Sequence, residues 1–405
     1  MPLDERPATP AAPTTPEPPL PGEAKTPLRE LASLFLRLGT TSFGGPAAHI
    51  ALMEYEVVTR RRWMTRAQFL DYVGATNLIP GPNSTELAIH IGHARAGRPG
   101  LLVAGASFIV PATLIIAAVA WAYTRYGRLP DAAALLYGVK PVVIGVVAVA
   151  LSRLGRSAVK SAALGCLGLA AVLMLILGVH ELAVLGGAGA VMAATSLFRG
   201  TPRRTASSLV LGTLAASNLA AAAAAAPAAP FGLLQLFLVF AKTGAVLFGS
   251  GYVLLAFLRA DLVERLGWMT EHQLLEAIAI GQMMPGPVFT TATFIGYILG
   301  GAAGAILATI GIFLPAFVFV GISGPLVPRL RDSPVAGAVL DGVNVASLAL
   351  MAVVAWYLGR AALVDAWTVA LAVAAIVALT RYRVNSAWLV AAGGLVGWLL
   401  HQSFI

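Results

Sequence analysis

Two Pro-Gly-Pro tripeptides, Pro80-Gly81-Pro82 and Pro285-Gly286-Pro287, each interrupt an apolar stretch and release a new helix. Asn83, Ser84 and Thr85 follow the first, and Thr290 and Thr291 follow the second. A helix start carries amides without intrahelical acceptors and the positive end of the helix dipole, so it suits an anion. The hydroxyls add donors, and Gly81 and Gly286 let backbone come close. A second pair of breaks, Phe43-Gly44-Gly45-Pro46 and Phe248-Gly249-Ser250-Gly251, supplies Gly44, Gly45, Gly249 and Gly251 for the same purpose. The plainer reading is that these residues only shape tight hairpins. A break at membrane depth, however, needs a cavity or a polar partner.

Charged and amide side chains surround these breaks. Arg37 and Lys242 each stand six residues before a Phe-Gly break, in apolar sequence. An intramembrane charge is by default a functional candidate, so the two cations are expected either to balance an anion or to snorkel to an interface. Asn77 and Gln282 each precede a Pro-Gly-Pro by three residues, as anion donors or as helix caps. Glu86 is a candidate for proton coupling or for a salt bridge. Lys140 is a candidate to pair with Glu86 or to line a path, and Asp341 is a weaker one.

The elements that position these residues come in two copies. Residues 35–82 align with 240–287 without a gap, 205 positions apart, with 15 identities in 48. The shared residues include Trp63-Met64-Thr65 with Trp268-Met269-Thr270. Internal repetition of this kind decides the architecture. Residues 1–26 read as a disordered Pro-rich tail without a signal peptide, 27–204 as the first repeat, 205–230 as a linker with room for one span, and 231–405 as the second repeat. In each repeat, broken or re-entrant helices precede about four spans. These run over 99–122, 131–152, 160–178 and 181–198, then 299–320, 336–357, 364–380 and 386–402.

Of 405 residues, 58% are hydrophobic and 11% charged, with a mean hydropathy of +0.83. A soluble domain carries about 25% charged residues. The chain therefore reads as an all-α polytopic membrane protein, its partner the lipid bilayer. The net charge of +9 sits in short loops rather than in a nucleic-acid-binding patch. In the first repeat Arg95, Arg98, Arg153, Arg156, Lys160, Arg199, Arg203 and Arg204 fall on one side, against Arg125 and Arg128. In the second the balance reverses, with Arg329, Arg331, Arg381 and Arg383 against Arg360. Basic loops mark the cytoplasmic side, so the repeats are expected to be inserted upside down relative to one another.

The single cysteine, Cys166, is expected to be a small buried hydrophobe. His90 and His93 lack companions for a metal site, and no phosphate-cradling loop or zinc-protease helix is present, so no cofactor, no metal and no enzymatic activity are expected. An intramembrane enzyme built on Glu86, His90 and His93 is the distant alternative.

The stretches Ser42-Phe43-Gly44-Gly45-Pro46-Ala47-Ala48-His49-Ile50, Arg61-Arg62-Trp63-Met64, Leu78-Ile79-Pro80-Gly81-Pro82, Gly267-Trp268-Met269-Thr270 and Pro285 to Tyr297 resemble the chromate ion transporter family, over residues 28–403. The resemblance implies a long-chain, two-domain member. It implies a secondary transporter in the bacterial inner membrane that exports chromate, a sulfate-like oxyanion, and so confers chromate resistance. Uptake or exchange of sulfate or another oxyanion is the alternative. Protons or another counter-ion are the candidate coupling partners, and a homodimer is left open. Glu86 departs from the family pattern, where Gln is frequent.

Overall fold

A computed structural model describes residues 26–42, 45–77, 79–126, 130–199, 231–248, 253–323, 333–382 and 384–403. Residues 1–25 of the expected tail, the linker and the residues Gly44, Gly249 and Gly251 lie outside them, while Thr26 is buried and accepts from Arg95 at 2.8 Å. The described residues form helices only. Repeat one contains α1 (Leu28–Thr41), α2 (Pro46–Glu54, continued by a π turn Tyr55–Arg60), α3 (Arg66–Thr76), α4 (Asn83–Tyr126), α5 (Pro130–Ala158), α6 (Ala162–Ile176) and α7 (Glu181–Arg199). Repeat two matches it with α8 (Leu233–Val246), α9 (Leu254–Leu258, with a π turn Arg259–Arg265), α10 (Glu271–Met283), α11 (Thr291–Ser323), α12 (Pro334–Ala362), α13 (Ala366–Arg381) and α14 (Ser386–Ser403). Among the described residues, four helices are long and apolar enough to cross a membrane, and five shorter ones are apolar over 10–17 residues.

The repeated motifs have local physical reasons. Thr65 caps α3 and Thr270 caps α10, each in a reciprocal bond with the Gln three residues on. Trp63, Met64 and Met269 bury themselves ahead of those caps. The long helices α4 and α11 are each two helices joined at a sharp turn, at Ala96–Gly97 and Gly300–Gly301. Gly97 and Gly301 adopt φ of 63° and 61°, a region that favours glycine. The arm before each turn folds back along the span after it. A Cβ on Gly92 would collide with the Gly100 carbonyl, and one on Gly296 with that of Gly304. Both repeats thus hold a re-entrant hairpin whose tip is the Pro-Gly-Pro. The arm 83–95 is about 20 Å long at 1.5 Å per residue, too short to span about 30 Å of hydrocarbon.

The repeats are inverted, and their equivalent helices show it directly. Along α5 and α12, Ile144 lies by Gly359 and Gly155 by Leu348, while Lys160 pairs with Asp341. As one chain ascends the other descends. Each of these spans also packs on the last two helices of the other repeat, α5 on α13 and α14, α12 on α6 and α7. At the α5–α14 crossing, Gly138 meets the Gly393 carbonyl. The interlock brings the basic ends together, with Arg153 donating to the Leu379 carbonyl at 3.1 Å. Arg153, Arg156, Lys160 and Arg381 therefore share one side of the molecule, as the loop charges lead one to expect.

Cys166 corrects an expectation. It is exposed, on the outer face of α6. A helix of this apolarity satisfies small side chains with lipid as readily as with protein.

Candidate functional site

Four broken helix ends converge. The amide of Gly81 donates to the Leu247 carbonyl at 2.7 Å, and the amide of Gly286 to the Ser42 carbonyl at 2.9 Å. Each Pro-Gly-Pro tip is thereby tied to the break in the other repeat, and backbone groups released by the breaks find partners at a depth where water is scarce.

Beside this junction lies a cavity of about 290 Å³. Its inner wall holds Pro82, Asn83 and Ser84 from the start of α4, and Pro287, Val288 and Phe289 from the equivalent turn. Pro46 and Phe248 close it from the first breaks. The start of α4 thus turns its positive end to the cavity. Asn83 Nδ2 donates to Asn77 Oδ1 at 2.9 Å, and Asn77 donates to the Val73 carbonyl at 3.1 Å, so both amides are held in place. The cavity opens toward Ser157, Ala158 and Lys160, at the basic end of α5. Lys160 is mostly exposed there and pairs with Asp341 at 2.7 Å.

The structure distributes the candidates unevenly. Asn77, Asn83 and Ser84 line the cavity. Gly81 and Gly286 are not in the lining but adjoin the lining prolines Pro82 and Pro287, and Gly45 caps the start of α2 with a φ of 80°. Thr85, Thr290, Thr291 and Gln282 are buried behind the lining. The hydroxyls of Thr290 and Thr291 donate to the Pro287 and Val288 carbonyls at 2.8 Å, so both are engaged within their own turn. Arg37 and Lys242 are absent from the lining, and each sits in an ion pair. Arg37 meets Glu56 and Lys242 meets Asp261, both at 2.5 Å. These pairs are equivalent in the two repeats, and each fastens the first helix to the π turn that follows the break. An Arg one turn on, Arg60 or Arg265, completes each cluster.

Lys140 corrects a further expectation. It pairs with Glu276 on α10 at 2.7 Å, not with Glu86. Glu276 also accepts from the Tyr123 hydroxyl. The reason is direction: Lys140 faces α10, whereas Glu86 faces Gly81 and α11. The Glu86 carboxyl is fully buried, with neither oxygen hydrogen-bonded.

Residue-by-residue reading found Asp341 as a weaker candidate but did not see that it belongs to a wall. Asp341, Asn344 and Ser347 stand three apart on α12, share one face and line the cavity. The Ser347 hydroxyl is buried there without a partner. Polar residues at a three-residue spacing in an otherwise apolar span were the available signal.

The model of the chromate transporter family matches residues 29–194 and again 234–398. The chain belongs to the chromate transporter family. A chromate transport protein of Cupriavidus metallidurans is 32% identical over 382 residues, covering 93% of this chain and 94% of that one. A chromate transport protein of Pseudomonas aeruginosa is 32% identical over 389 residues, with 92% of each chain covered. A probable chromate transport protein of Synechococcus elongatus is 31% identical over 341 residues, covering 84% and 86%. No solved structure matches the chain. Within this chromate transporter fold, family membership points to transport rather than enzymatic chemistry. Among the described residues no group of three or more His, Cys, Asp or Glu side chains could hold a metal.

Proposed function

We propose that this protein is a secondary transporter that exports chromate from the bacterial cytoplasm across the inner membrane and so confers chromate resistance. The observation that carries the proposal is the cavity where the two Pro-Gly-Pro helix starts meet between inverted repeats. Its elements suit a tetrahedral dianion: a helix N-terminus, the amides of Asn77 and Asn83, the hydroxyls of Ser84 and Ser347, and Lys160 at the mouth. Asp341 holds Lys160 until an oxyanion competes for it, which favours entry without tight retention.

The direction has a physical basis. The cavity opens at the basic end, which the distribution of Lys and Arg assigns to the cytoplasm. At the other end Tyr123, Lys140 and Glu276 tie α4, α5 and α10 together. One end open and the other tied is the arrangement that alternating access requires. A potential negative inside drives a dianion outward with about 4.6 kcal/mol per 100 mV, twice the value for one charge.

The test is labelled chromate flux in proteoliposomes under an imposed potential. Concentrative flux toward the positive compartment is expected, with a loss of at least tenfold in Lys160→Ala measured at low chromate. Flux that never exceeds its electrochemical gradient would indicate a channel. No chromate flux under any gradient would overturn the reading.

A further inference from the structure

The mechanism above gives the buried carboxyl of Glu86 no task. Glu86 lies in the first turn of α4, and its side chain is fully buried. Neither carboxyl oxygen has a hydrogen-bond partner. It packs against the Pro-Gly-Pro tip so closely that a Cβ on Gly81 would overlap Oε1, with Ala316 of α11 next to the same point. The equivalent position in the second repeat holds Thr291, whose hydroxyl is engaged within its own turn. The carboxyl is therefore a feature of one half only, set beside the one helix start that lines the cavity with Asn83 and Ser84.

Charged and titratable groups on the elements packed against this part of α4 leave the carboxyl alone. Arg37 of α1 is held by Glu56. His49 of α2 faces the Ser42 carbonyl at 3.2 Å. Tyr72 of α3 stacks on His90, and Asp71 beside it is exposed. His90 and His93 share the helix of Glu86. The 288–290 turn carries no charged residue, and neither does α11, whose one titratable side chain is Tyr297. None of these groups pairs with Glu86. An ionised carboxylate stripped of water, with nothing in its place, is the disfavoured form, so the arrangement seen here suits the proton-loaded acid, and the carboxylate form needs a state in which this carboxyl reaches water.

An ionised Glu86 would also be an anion at the N-terminal end of α4. It would draw on the same dipole that serves the oxyanion and would repel a dianion at Asn83 and Ser84. We infer that Glu86 is a proton-binding site whose occupancy is coupled to the oxyanion, so that one proton from the aqueous phase converts its carboxylate to the acid as each dianion binds. Proton and dianion are then carried together, and the net charge moved per cycle is one negative charge instead of two. This inference rests on the cavity being the oxyanion site.

The test is proton uptake by the purified full-length protein in weakly buffered solution near pH 8, followed with a pH indicator on addition of chromate, with sulfate in parallel. Binding is measured separately by equilibrium dialysis. Wild type is expected to take up about one proton per chromate bound, and its affinity to fall about tenfold per pH unit above the titration. Glu86→Gln is expected to bind chromate with no uptake and with an affinity independent of pH. Glu86→Asp, which keeps the titrating group, is expected to restore uptake. In proteoliposomes, wild type should move about one charge per chromate and Glu86→Gln about two. Chromate binding by wild type without proton uptake overturns the inference and leaves the oxyanion site standing, as does undiminished uptake in Glu86→Gln. Absence of chromate binding in every variant overturns the site itself.

Discussion

The amide of Gly81 donates to the carbonyl of Leu247 at 2.7 Å, and 205 positions later the amide of Gly286 donates to the carbonyl of Ser42 at 2.9 Å. Each bond crosses from one repeat to the other. Two loops that would leave polar backbone stranded within the membrane thus satisfy one another, next to the cavity residues Pro82, Phe248 and Pro287.

That reciprocity sets the sensitivity of the glycines. Gly286 has φ of 88°, and a Cβ there would strike Ala112 and the Gly39 carbonyl. Gly286→Ala combines left-handed strain of about 1–2 kcal/mol with a collision against backbone. A fall in Tm and at least a tenfold loss of chromate flux are expected. Gly45 has φ of 80° but no atom near its absent Cβ, so Gly45→Ala should show the strain alone. Equal losses in the two variants would argue against a tightly sealed junction.

The paired charges can be separated from anion binding by rescue. Asp261 is almost fully buried and accepts from both Lys242 and Arg265. Removing one member of a buried pair costs about 3–5 kcal/mol, so Asp261→Asn should lower Tm sharply. Lys242→Met should cost less, because Arg265 remains on Asp261. Lys242→Met combined with Asp261→Asn should recover part of the Tm and the flux. Were Lys242 an anion ligand, chromate affinity would stay weak in the double variant.

The equivalent cluster in the first repeat gives a pH signature. Glu56 lies beside Arg60 and Arg61 at the membrane surface. Burial pushes its carboxyl up, but the Arg37 and Arg60 hydrogen bonds and the Arg61 charge hold it below the ordinary value of 4.5. A carboxyl lowered on folding stabilises fully above its unfolded value, and loses that contribution as pH falls through the lowered one. The Tm gap between wild type and Glu56→Gln should therefore be widest near neutral pH and close below about pH 4. A gap that widened in acid would contradict the pairing.

Lys140, Glu276 and Tyr123 tie the end opposite the cavity mouth. Lys140→Met leaves Glu276 with Tyr123 alone and should favour opening at that end. In a Cys166→Ala background, Ser347→Cys reports on the cavity through thiol labelling from the basic side. Adding Lys140→Met should slow that labelling about threefold or more, as the population moves to the state closed there. Unchanged labelling would make the Lys140 pair a static brace.

Much of this protein was legible in its sequence. The apolar runs, the 205-residue repetition and the Pro-Gly-Pro breaks specify inverted copies with re-entrant hairpins, because hydrocarbon permits few backbone solutions and basic loops report their side. The starts of the hairpin arms were legible too, since proline and glycine act locally. Tertiary structure decided which charges meet. Arg37 and Lys242 read as unaccompanied cations in one dimension, but their acceptors, Glu56 and Asp261, stand 19 residues further on and return only once the π turns fold back. Lys140 found Glu276 rather than Glu86 because α5 packs across the other repeat. The cavity wall on α12 likewise came from the interlock of the two halves. Local rules place breaks and spans, whereas the partner of a buried charge depends on which helix faces it, and only the packed fold determines that.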